Sequence, residues 1–426
     1  IVFSRVIEIE SMPVKSAICH AVGTVVSNPI MASHLIKDKL LLKIIKLMFL
    51  NDPPVQCKAA DVVLRMMQHK DLREPLMDLD LINATWQMLD SPYEDNHLAA
   101  VRIVYTMAVH NEALKRQFSE YHGMVTRLVR LARVNHIEIR QKTIQTLAYI
   151  LLNETAVKLA WGSGLEETFK ELIQDDDLAV LTHVLMAMVN ATRSEANAIR
   201  LLNMGLLSEV CSIGAEREEL GLQHLWTGLL ANLAVPRETQ KSLMEPEVLA
   251  LLVRQLTDGT YHSRYNAAIV LHKLSWKPVH AEKIVAENAL PALIELAKKP
   301  RILVDAPNDE GVNPKGRSLY LHWQAARVIA ALTVSPDVHI HIVKGGGVAP
   351  LIQLCESGDL TLCREGASSI AFLAEVKCET ECLLQMAEEG AIQALQALAE
   401  NPDDTTGSEA VRALSSLLNF DSAWAD

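Results

Sequence analysis

The residues whose spacing comes closest to a metal site are two histidines and two cysteines. His339 and His341 lie two apart in a segment predicted to be helical, so their side chains point in different directions. Cys378 and Cys382 lie four apart and share a helix face. Two thiolates do not complete a tetrahedral zinc site, and no second pair stands at zinc spacing. We therefore predict no metal and no other cofactor.

The carboxylates and glycines that would suit acid–base or phosphate chemistry also have a structural explanation. Glu166 and Glu167, and the aspartates at 175–177, stand in turns or early helical turns, where negative charge suits the helix dipole. The glycines at 345–347 lack both a preceding strand and a following Lys-Ser/Thr pair. No GxSxG motif occurs. The chain is predicted not to be an enzyme and to have no small-molecule substrate.

The composition excludes several classes of protein. Half of the 426 residues are apolar and 22% are charged, which is enough to build a core. No run of about 18 uninterrupted apolar residues occurs, so a membrane-spanning segment is not expected. The net charge of −12 disfavours nucleic acid as a partner. Seven scattered cysteines, an odd number, favour reduced thiols and an intracellular protein, cytoplasmic by default; the first residue, Ile1, leaves a processed organellar chain open.

The charge is unevenly distributed along the sequence. Residues 381–426 carry nine acidic side chains and a single basic one, Arg412. Between Lys115 and Lys142 the balance reverses, with seven basic and two acidic residues. A local acidic ligand near 115–142 is thus left open, although the chain as a whole is acidic.

A short apolar block recurs along the whole chain. Its spacing is 41, 43, 41, 41, 42, 41, 58 and 44 residues. The aligned positions are Ile44, Thr85, Leu128, Phe169, Val210, Leu252, Leu293, Leu351 and Leu395. A self-similar period of this length is typical of a repeat protein.

Within one period the pattern predicts three helices. The block itself is a short helix, and a polar turn and a longer amphipathic helix follow it; in 261–276 the apolar positions recur with helical spacing. A further short helix then ends in Gly or Asn, which accept a left-handed conformation. Alanine pairs at 59–60, 267–268 and 325–326 stand at equivalent positions and predict close approach of neighbouring helices.

Three helices in about 42 residues, with NALPALIELA (288–297), EEGAIQALQALA (388–399), LLANLAVP (229–236) and AMVNATRS (187–194), resemble the armadillo repeat over essentially the whole chain. HEAT repeats are the nearest structural alternative. The resemblance implies an all-α fold, a right-handed alpha-alpha superhelix of about nine to ten three-helix repeats, with the long third helices lining a groove. We expect one solenoid over 1–426, with an incomplete N-terminal repeat (1–38), an inserted loop (299–318) and an acidic C-terminal capping repeat (381–426). Two interpretations of the loop are equally open: it contacts a partner, or it is a mobile excursion from the solenoid.

The same resemblance directs attention to the groove. In the nuclear import adaptors of the family, third helices carry Trp and Asn four residues apart, repeat after repeat. Here only Asn190 and Asn232 occupy the Asn position, and no Trp stands four residues before it in any repeat. The import-adaptor hypothesis therefore fails. The remaining candidate partner-binding residues are Arg65, Arg102, Tyr149, Asn190, Trp226, Asn232, Lys273 and Arg327.

Arg and Lys in such a groove suit an acidic extended segment of a partner protein. The alternative is that these side chains are solvated or bond the neighbouring helix. The leading functional hypothesis is a non-catalytic interaction scaffold or adaptor. A permanent structural subunit of a large organellar or cytoskeletal assembly, and a client-holding chaperone of the myosin-directed type, are the alternatives.

Overall fold

The computed structural model describes residues 2–37, 40–70, 81–110, 121–217, 219–298, 314–375, 380–400 and 403–418, with positions 73, 76, 112 and 115–117 besides. These ranges contain 27 α-helices, one 3-10 turn and no strand. The predicted all-α class is therefore confirmed for the described residues. Contacts along the chain divide it into two compact units, Ile1–Ala191 and Thr192–Asp426.

Unit 1 contains twelve described helices. They are α1 (Val2–Val6), α2 (Met12–Val25), α3 (Pro29–Lys37), α4 (Leu40–Leu47), α5 (Pro53–Met67), α6 (Leu81–Leu89), α7 (Glu94–His110), α8 (His122–Leu131), α9 (Ile137–Ile150), α10 (Glu154–Trp161), α11 (Leu165–Leu172) and α12 (Leu178–Ala191). The predicted incomplete repeat at 1–38 corresponds to α1, α2 and α3.

Unit 2 contains fifteen described helices. They are α13 (Glu195–Asn203), α14 (Leu207–Glu216), α15 (Leu220–Leu233), α16 (Arg237–Leu243), α17 (Pro246–Asp258), α18 (Tyr261–Leu274), α19 (Pro278–Ala286), α20 (Ala289–Ala297), α21 (Pro314–Leu332), α22 (His339–Lys344), α23 (Val348–Cys355), α24 (Leu360–Glu375), α25 (Thr380–Glu388), α26 (Ala391–Ala399) and α27 (Asp404–Leu418). A 3-10 turn, Pro336–Val338, precedes α22.

The long helix of each repeat packs against its counterpart in the next repeat. In unit 1 this row runs α2, α5, α7, α9 and α12, and in unit 2 it runs α15, α18, α21, α24 and α27. The shorter second helices form a parallel row, for example α14, α17 and α20. No repeat covers its apolar face alone, so each buries the face of its neighbour and the core is continuous within a unit. The chain is an α-helical repeat protein of the solenoid kind.

The alanine pairs that were predicted to allow close approach of neighbouring helices lie in the core. The alanines at 59–60, 267–268 and 325–326 are all fully buried, on α5, α18 and α21. Small side chains at such positions let neighbouring helices pack closely, whereas ridges of larger side chains hold helix axes about 8–10 Å apart.

The turn between the first and second helices also follows the sequence. Gly164, Gly205, Gly346 and Gly390 have positive φ there, and Asn288 takes the same place with φ 61°. Within the described part of the chain, Asn288 is the one non-glycine residue with positive φ. Asn tolerates the left-handed region better than other non-glycine residues, so the turn is retained.

The predicted inserted loop at 299–318 is partly wrong. Residues 314–318 begin α21, which starts at Pro314, a residue that favours the first turn of a helix. The other positions, 299–313, lie outside the described residues. In the predicted acidic capping repeat, α25, α26 and α27 form a three-helix unit, while residues 419–426 are likewise outside the description.

Candidate functional site

Four of the predicted binding residues lie on successive long helices of unit 1. Arg65 is on α5, Arg102 on α7, Tyr149 on α9 and Asn190 on α12. These helices pack side by side, and contacts between their side chains bring residues of α7, α9 and α12 together on one face. Five residues of this face form what we name the Lys142 cluster: Arg102, Tyr105, Lys142, Tyr149 and His183.

Lys142 is the electrostatic centre of the cluster. Its Nζ donates to Gln145 Oε1 at 2.6 Å and lies 4.5 Å from the centroid of the Tyr105 ring, a cation–π contact. Within the described ranges Lys142 forms no ion pair. Partial burial, together with the nearby charge of Arg102, lowers the pKa of the Lys142 ammonium group. The site therefore holds a positive charge that a carboxylate would stabilise.

Arg102 supplies a second, weakly neutralised charge. Its guanidinium lies 3.8 Å from Glu138, and the two side chains are 51% and 60% exposed. An exposed pair at this distance contributes about 0–1 kcal/mol, so Glu138 offers little competition to an incoming carboxylate.

Two tyrosines form the apolar floor beside these cations. The rings of Tyr105 and Tyr149 meet edge to face with centroids 5.6 Å apart. Burial raises the pKa of the Tyr105 hydroxyl, and the neighbouring Tyr149 adds to that shift. His183 completes the cluster from α12, where its Nδ1 donates to the Ala179 carbonyl at 2.6 Å. Burial lowers the pKa of His183, and Lys142 lowers it further.

A groove of about 980 Å³ lies between α5 and α7 and reaches Arg102 at one end. Tyr93, 51% exposed, lines it together with Lys58 and three carboxylates, Asp61, Glu94 and Asp95. Arg65 donates to Asp61 Oδ2 at 2.8 Å, one turn along the same helix. The groove offers room for a polypeptide, and Arg102, whose charge Glu138 neutralises only weakly, lies at one end of it.

The two asparagines bond their own protein. Asn190 Nδ2 donates to the Ala148 carbonyl at 2.8 Å and so joins α12 to α9. Asn232 Nδ2 donates to Thr192 Oγ1 at 3.2 Å. Both bonds reach a neighbouring repeat, which matches the alternative that groove residues bond adjacent elements.

In unit 2, one predicted binding residue is wrong. Trp226 is fully buried, because its position on α15 faces α14 and not the open face. A methyl group at Gly214 would lie 3.0 Å from two carbons of its ring, which shows how closely the indole fills this space. Trp226 belongs to the core and contacts no partner there.

The other two unit 2 candidates, Arg327 and Lys273, differ in how available their charge is to a partner. Arg327 makes two hydrogen bonds of 2.7 Å to Glu365, a bidentate pair between α21 and α24 that already neutralises its charge. Lys273 is exposed on α18. The structure thus brings Arg102 and Tyr149 together in one cluster and does not assemble an equivalent cluster around Arg327.

The basic stretch at 115–142 is largely neutralised. Arg127 pairs with Asp90, Arg133 with Glu171 at 2.7 Å and Arg140 with Asp175 at 2.9 Å. Lys142 belongs to the long-helix face, and its charge is left to act outward. Sequence reasoning missed Lys142, Tyr105 and His183; the available signal was the separation of Lys142 and Tyr149 by seven residues, two helical turns on one face.

Four of the described cysteines have thiols of low reactivity. Burial raises the thiol pKa of Cys19, Cys57 and Cys211 to about 11, and that of Cys355 to about 12. Such thiols are almost entirely protonated at neutral pH and are poor nucleophiles. Cys378 lies outside the described part. Among the described residues no three potential ligands from His, Cys, Asp and Glu stand close enough to share a metal ion.

No single described helix is both long and apolar enough to cross a membrane, whereas two sharply bent helix pairs would pass together on length and composition. They are Glu195–Asn203 with Leu207–Glu216, and Leu321–Leu332 with Pro336–Lys344.

Comparison with known proteins gives the fold and nothing finer. No family model matches the chain, and no curated protein matches it. Among solved structures, the chain is similar to a crystal structure described as an engineered protein, with a TM-score of 0.82 and 19% identity over 98% of each chain. Nearly complete coverage at this score shows that the helical repeat architecture is shared along the whole length.

Proposed function

We propose that this chain is a non-catalytic armadillo-type interaction protein that holds an acidic, extended segment of a partner protein on the long-helix face of unit 1. The observation that carries the proposal is Lys142, which has no carboxylate partner in the described structure, lies beside Arg102 and rests against Tyr105. The armadillo assignment rests on the recurring sequence blocks and the three-helix units.

The energetics of the cluster favour a carboxylate. Charge-assisted hydrogen bonds from two cations are stronger than neutral ones, and a partly desolvated site strengthens them further. Bringing Arg102 and Lys142 into one cluster has a cost that a bound carboxylate relieves. The tyrosine rings beside them offer apolar contact for the neighbouring side chains of the same segment.

The dimensions favour an extended segment over a single residue. Adjacent packed helices are about 8–10 Å apart, and an extended chain advances about 3.3 Å per residue. A segment crossing from α5 to α12 over three such intervals would be about eight or nine residues long. The groove beside α5 and α7, whose lining includes Asp61, Glu94 and Asp95, would receive the less acidic end of the segment, and the Lys142 cluster would receive its acidic end.

The test is a selection of displayed twelve-residue random peptides on the wild-type protein and on the R102Q/K142Q variant. Wild type is expected to enrich peptides rich in Asp and Glu, and their affinity should weaken as salt rises. The variant should lose the acidic peptides that bind at Arg102 and Lys142 and keep any that bind elsewhere on the chain. The matched control is K170Q, because Lys170 is an exposed lysine of the same unit on the short helix α11, paired with Glu166 at 2.8 Å.

The outcomes separate clearly. Acidic peptide sequences that are enriched on wild type and on K170Q but lost on R102Q/K142Q support the proposal. Peptides without an acidic preference, or the same acidic sequences enriched equally on all three proteins, would overturn it. Circular dichroism of each variant confirms that the helical fold is retained, as expected for partly exposed positions.

A further inference from the structure

A second surface, on unit 2, displays apolar side chains at equivalent places in three repeats. Val235, Trp276 and Val334 each stand two residues after a long helix, α15, α18 and α21, and are 40%, 38% and 38% exposed. Val279, 60% exposed, follows Trp276 on α19. We name this set the Trp276 edge. Large apolar residues recurring at one edge of a repeat protein indicate a contact surface.

A hydrogen bond to a buried glutamine fixes the orientation of Trp276. Its Nε1 donates to Gln240 Oε1, and Gln240 is 4% exposed. Gln240 Nε2 in turn donates to the carbonyls of Ala234 at 3.0 Å and Lys273 at 3.3 Å. The indole is therefore pre-oriented with part of its ring facing outward, so a ligand would not have to order it.

Two cations lie over the ring. The Arg237 guanidinium carbon is 4.6 Å and the Lys277 Nζ 4.5 Å from the Trp276 ring centroid. Neither forms an ion pair among the described residues, and the same holds for Lys241 and Lys283, one helical turn from Arg237 and Val279. Ring quadrupoles attract cations but do not neutralise them, so the positive charge remains available to an anion.

Acidic residues at this edge are fewer. Glu282 accepts a hydrogen bond from Ser335 at 2.9 Å, and Glu238 and Asp337 are exposed. His280 lies beside Trp276, with ring centroids 6.5 Å apart. The edge is thus an apolar strip within a locally basic rim, on a unit whose 20 basic and 30 acidic residues make it strongly negative overall.

We propose that the Trp276 edge docks a short partner segment in which an apolar residue is flanked by Asp or Glu. The apolar side chain would pack on Trp276 and Val279, and the flanking carboxylates would pair with Arg237 and Lys277. Charge complementarity selects this occupant. An apolar strip alone would accept any hydrophobic segment. The four cations without carboxylate partners in the described ranges, Arg237, Lys241, Lys277 and Lys283, favour a segment that carries carboxylates. This surface belongs to unit 2 and does not depend on the Lys142 cluster.

A protein segment is favoured over an anionic membrane. The exposed carboxylates of Glu238 and Asp337 stand among the cations and would be repelled by a uniformly anionic lipid surface. A peptide can place its charges between them. A membrane is therefore retained as an outcome of the test that would contradict the proposal.

The experiment uses the full chain labelled with 5-fluorotryptophan and observed by fluorine NMR. The W276F variant assigns the Trp276 signal. The probe is the peptide Asp-Glu-Leu-Leu-Asp-Glu, and its neutral counterpart is Asn-Gln-Leu-Leu-Asn-Gln. We expect the acidic peptide to shift the Trp276 signal saturably, with the apparent Kd at least tenfold weaker for the neutral peptide and for R237Q/K277Q.

The result is separable from the failure of the proposed function. The R102Q/K142Q variant should give the same Trp276 shift as wild type. An unshifted Trp276 signal, an equal shift with both peptides, or a shift produced by phosphatidylserine vesicles and not by peptide would each overturn the proposal. So would a W276F protein that loses thermal stability while its peptide affinity, measured by isothermal titration calorimetry, equals that of wild type, since Trp276 would then only secure the turn to Gln240.

Discussion

At the scale of single residues, the availability of charge distinguishes Lys142 from most of the other basic side chains around it. Arg127, Arg133 and Arg140 have carboxylate partners across the repeat boundary. Lys142 faces Tyr105, which attracts its charge but leaves it unneutralised. A site for an anionic ligand is therefore created by the geometry of one helix face, and the local density of basic residues in the sequence does not reveal it.

His272 provides a prediction on pH and stability. Burial lowers its pKa to about 4 in the folded protein, with the charges of Arg327 and Lys273 adding to the shift and Glu365 opposing it. The unfolded chain has a histidine pKa of about 6.5, so it binds the proton first as pH falls. The contribution to stability is therefore fully present above pH 6.5 and is lost progressively as pH falls towards 4.

In urea titrations between pH 7 and 4.5, the wild-type midpoint should fall more steeply than that of H272Q. The matched control is H341Q, since His341 is an exposed histidine on α22. H341Q should follow the wild-type profile. Parallel curves for wild type and H272Q would contradict the assignment.

At the scale of the helices, the sequence predicted more than it did at the scale of side-chain contacts. The alanine pairs at 59–60, 267–268 and 325–326 recur at the same position of the repeat, so the sequence alone indicated that small residues are needed there. All six alanines are buried on long helices. The start of α21 at Pro314 was missed, because composition alone cannot separate the end of a polar loop from the first turn of a helix.

The contacts that make the candidate site could not be derived in the same way. Tyr105 and Lys142 meet only when α7 and α9 pack at one particular register, and a shift of one residue would turn Lys142 towards the core or the solvent. Trp226 shows the same limit: it lies six residues before Asn232, and there its side chain packs against α14. Periodicity fixes which residues share a face approximately, and packing decides which atoms touch.

Gly366 gives a prediction about how closely two helices approach. A methyl group there would lie 2.8 Å from the Leu351 carbonyl oxygen and 2.9 Å from Cys355 Sγ, where α24 crosses α23. G366A should therefore destabilise the protein by about 1–3 kcal/mol through overpacking. This loss would exceed the gain of about 1 kcal/mol from replacing Gly by Ala in a helix.

The matched control is Gly221 on α15, where an added methyl group would have no neighbour within 4 Å. G221A should leave the urea midpoint unchanged or raise it slightly. The measurement is the free energy of unfolding from urea titration of the three proteins. A G366A protein as stable as G221A would show that the two helices can separate at little cost.

At the scale of the whole molecule, the net charge is divided unevenly between the two units. Residues 1–191 contain 20 basic and 22 acidic residues, so unit 1 is nearly neutral, whereas unit 2 carries most of the net charge of −12. An acidic segment approaching unit 1 would meet less repulsion than one approaching unit 2, and only local clusters such as the Trp276 edge would offset that repulsion. The salt dependence of peptide affinity should accordingly differ between the Lys142 cluster and the Trp276 edge.

The repeat architecture also predicts where the 426-residue chain opens first. Among the described helices, α9 and α18 each pack between two other long helices, whereas α2 and α27 each pack against one. In an array stabilised by nearest-neighbour contacts, a helix with one neighbour opens at a lower free energy than a helix with two. Hydrogen exchange followed by mass spectrometry should therefore show amides of α2 and α27 exchanging on the order of tenfold or more faster than those of α9 and α18, since tenfold corresponds to only about 1.4 kcal/mol.

The G366A variant sharpens the test, because loosening α24 should speed exchange in α24 and α27 while leaving α9 unchanged. Equal protection in α2 and α9, or acceleration spread evenly over the chain by G366A, would mean that the molecule opens as one cooperative body and that its stability is not the sum of neighbouring repeats.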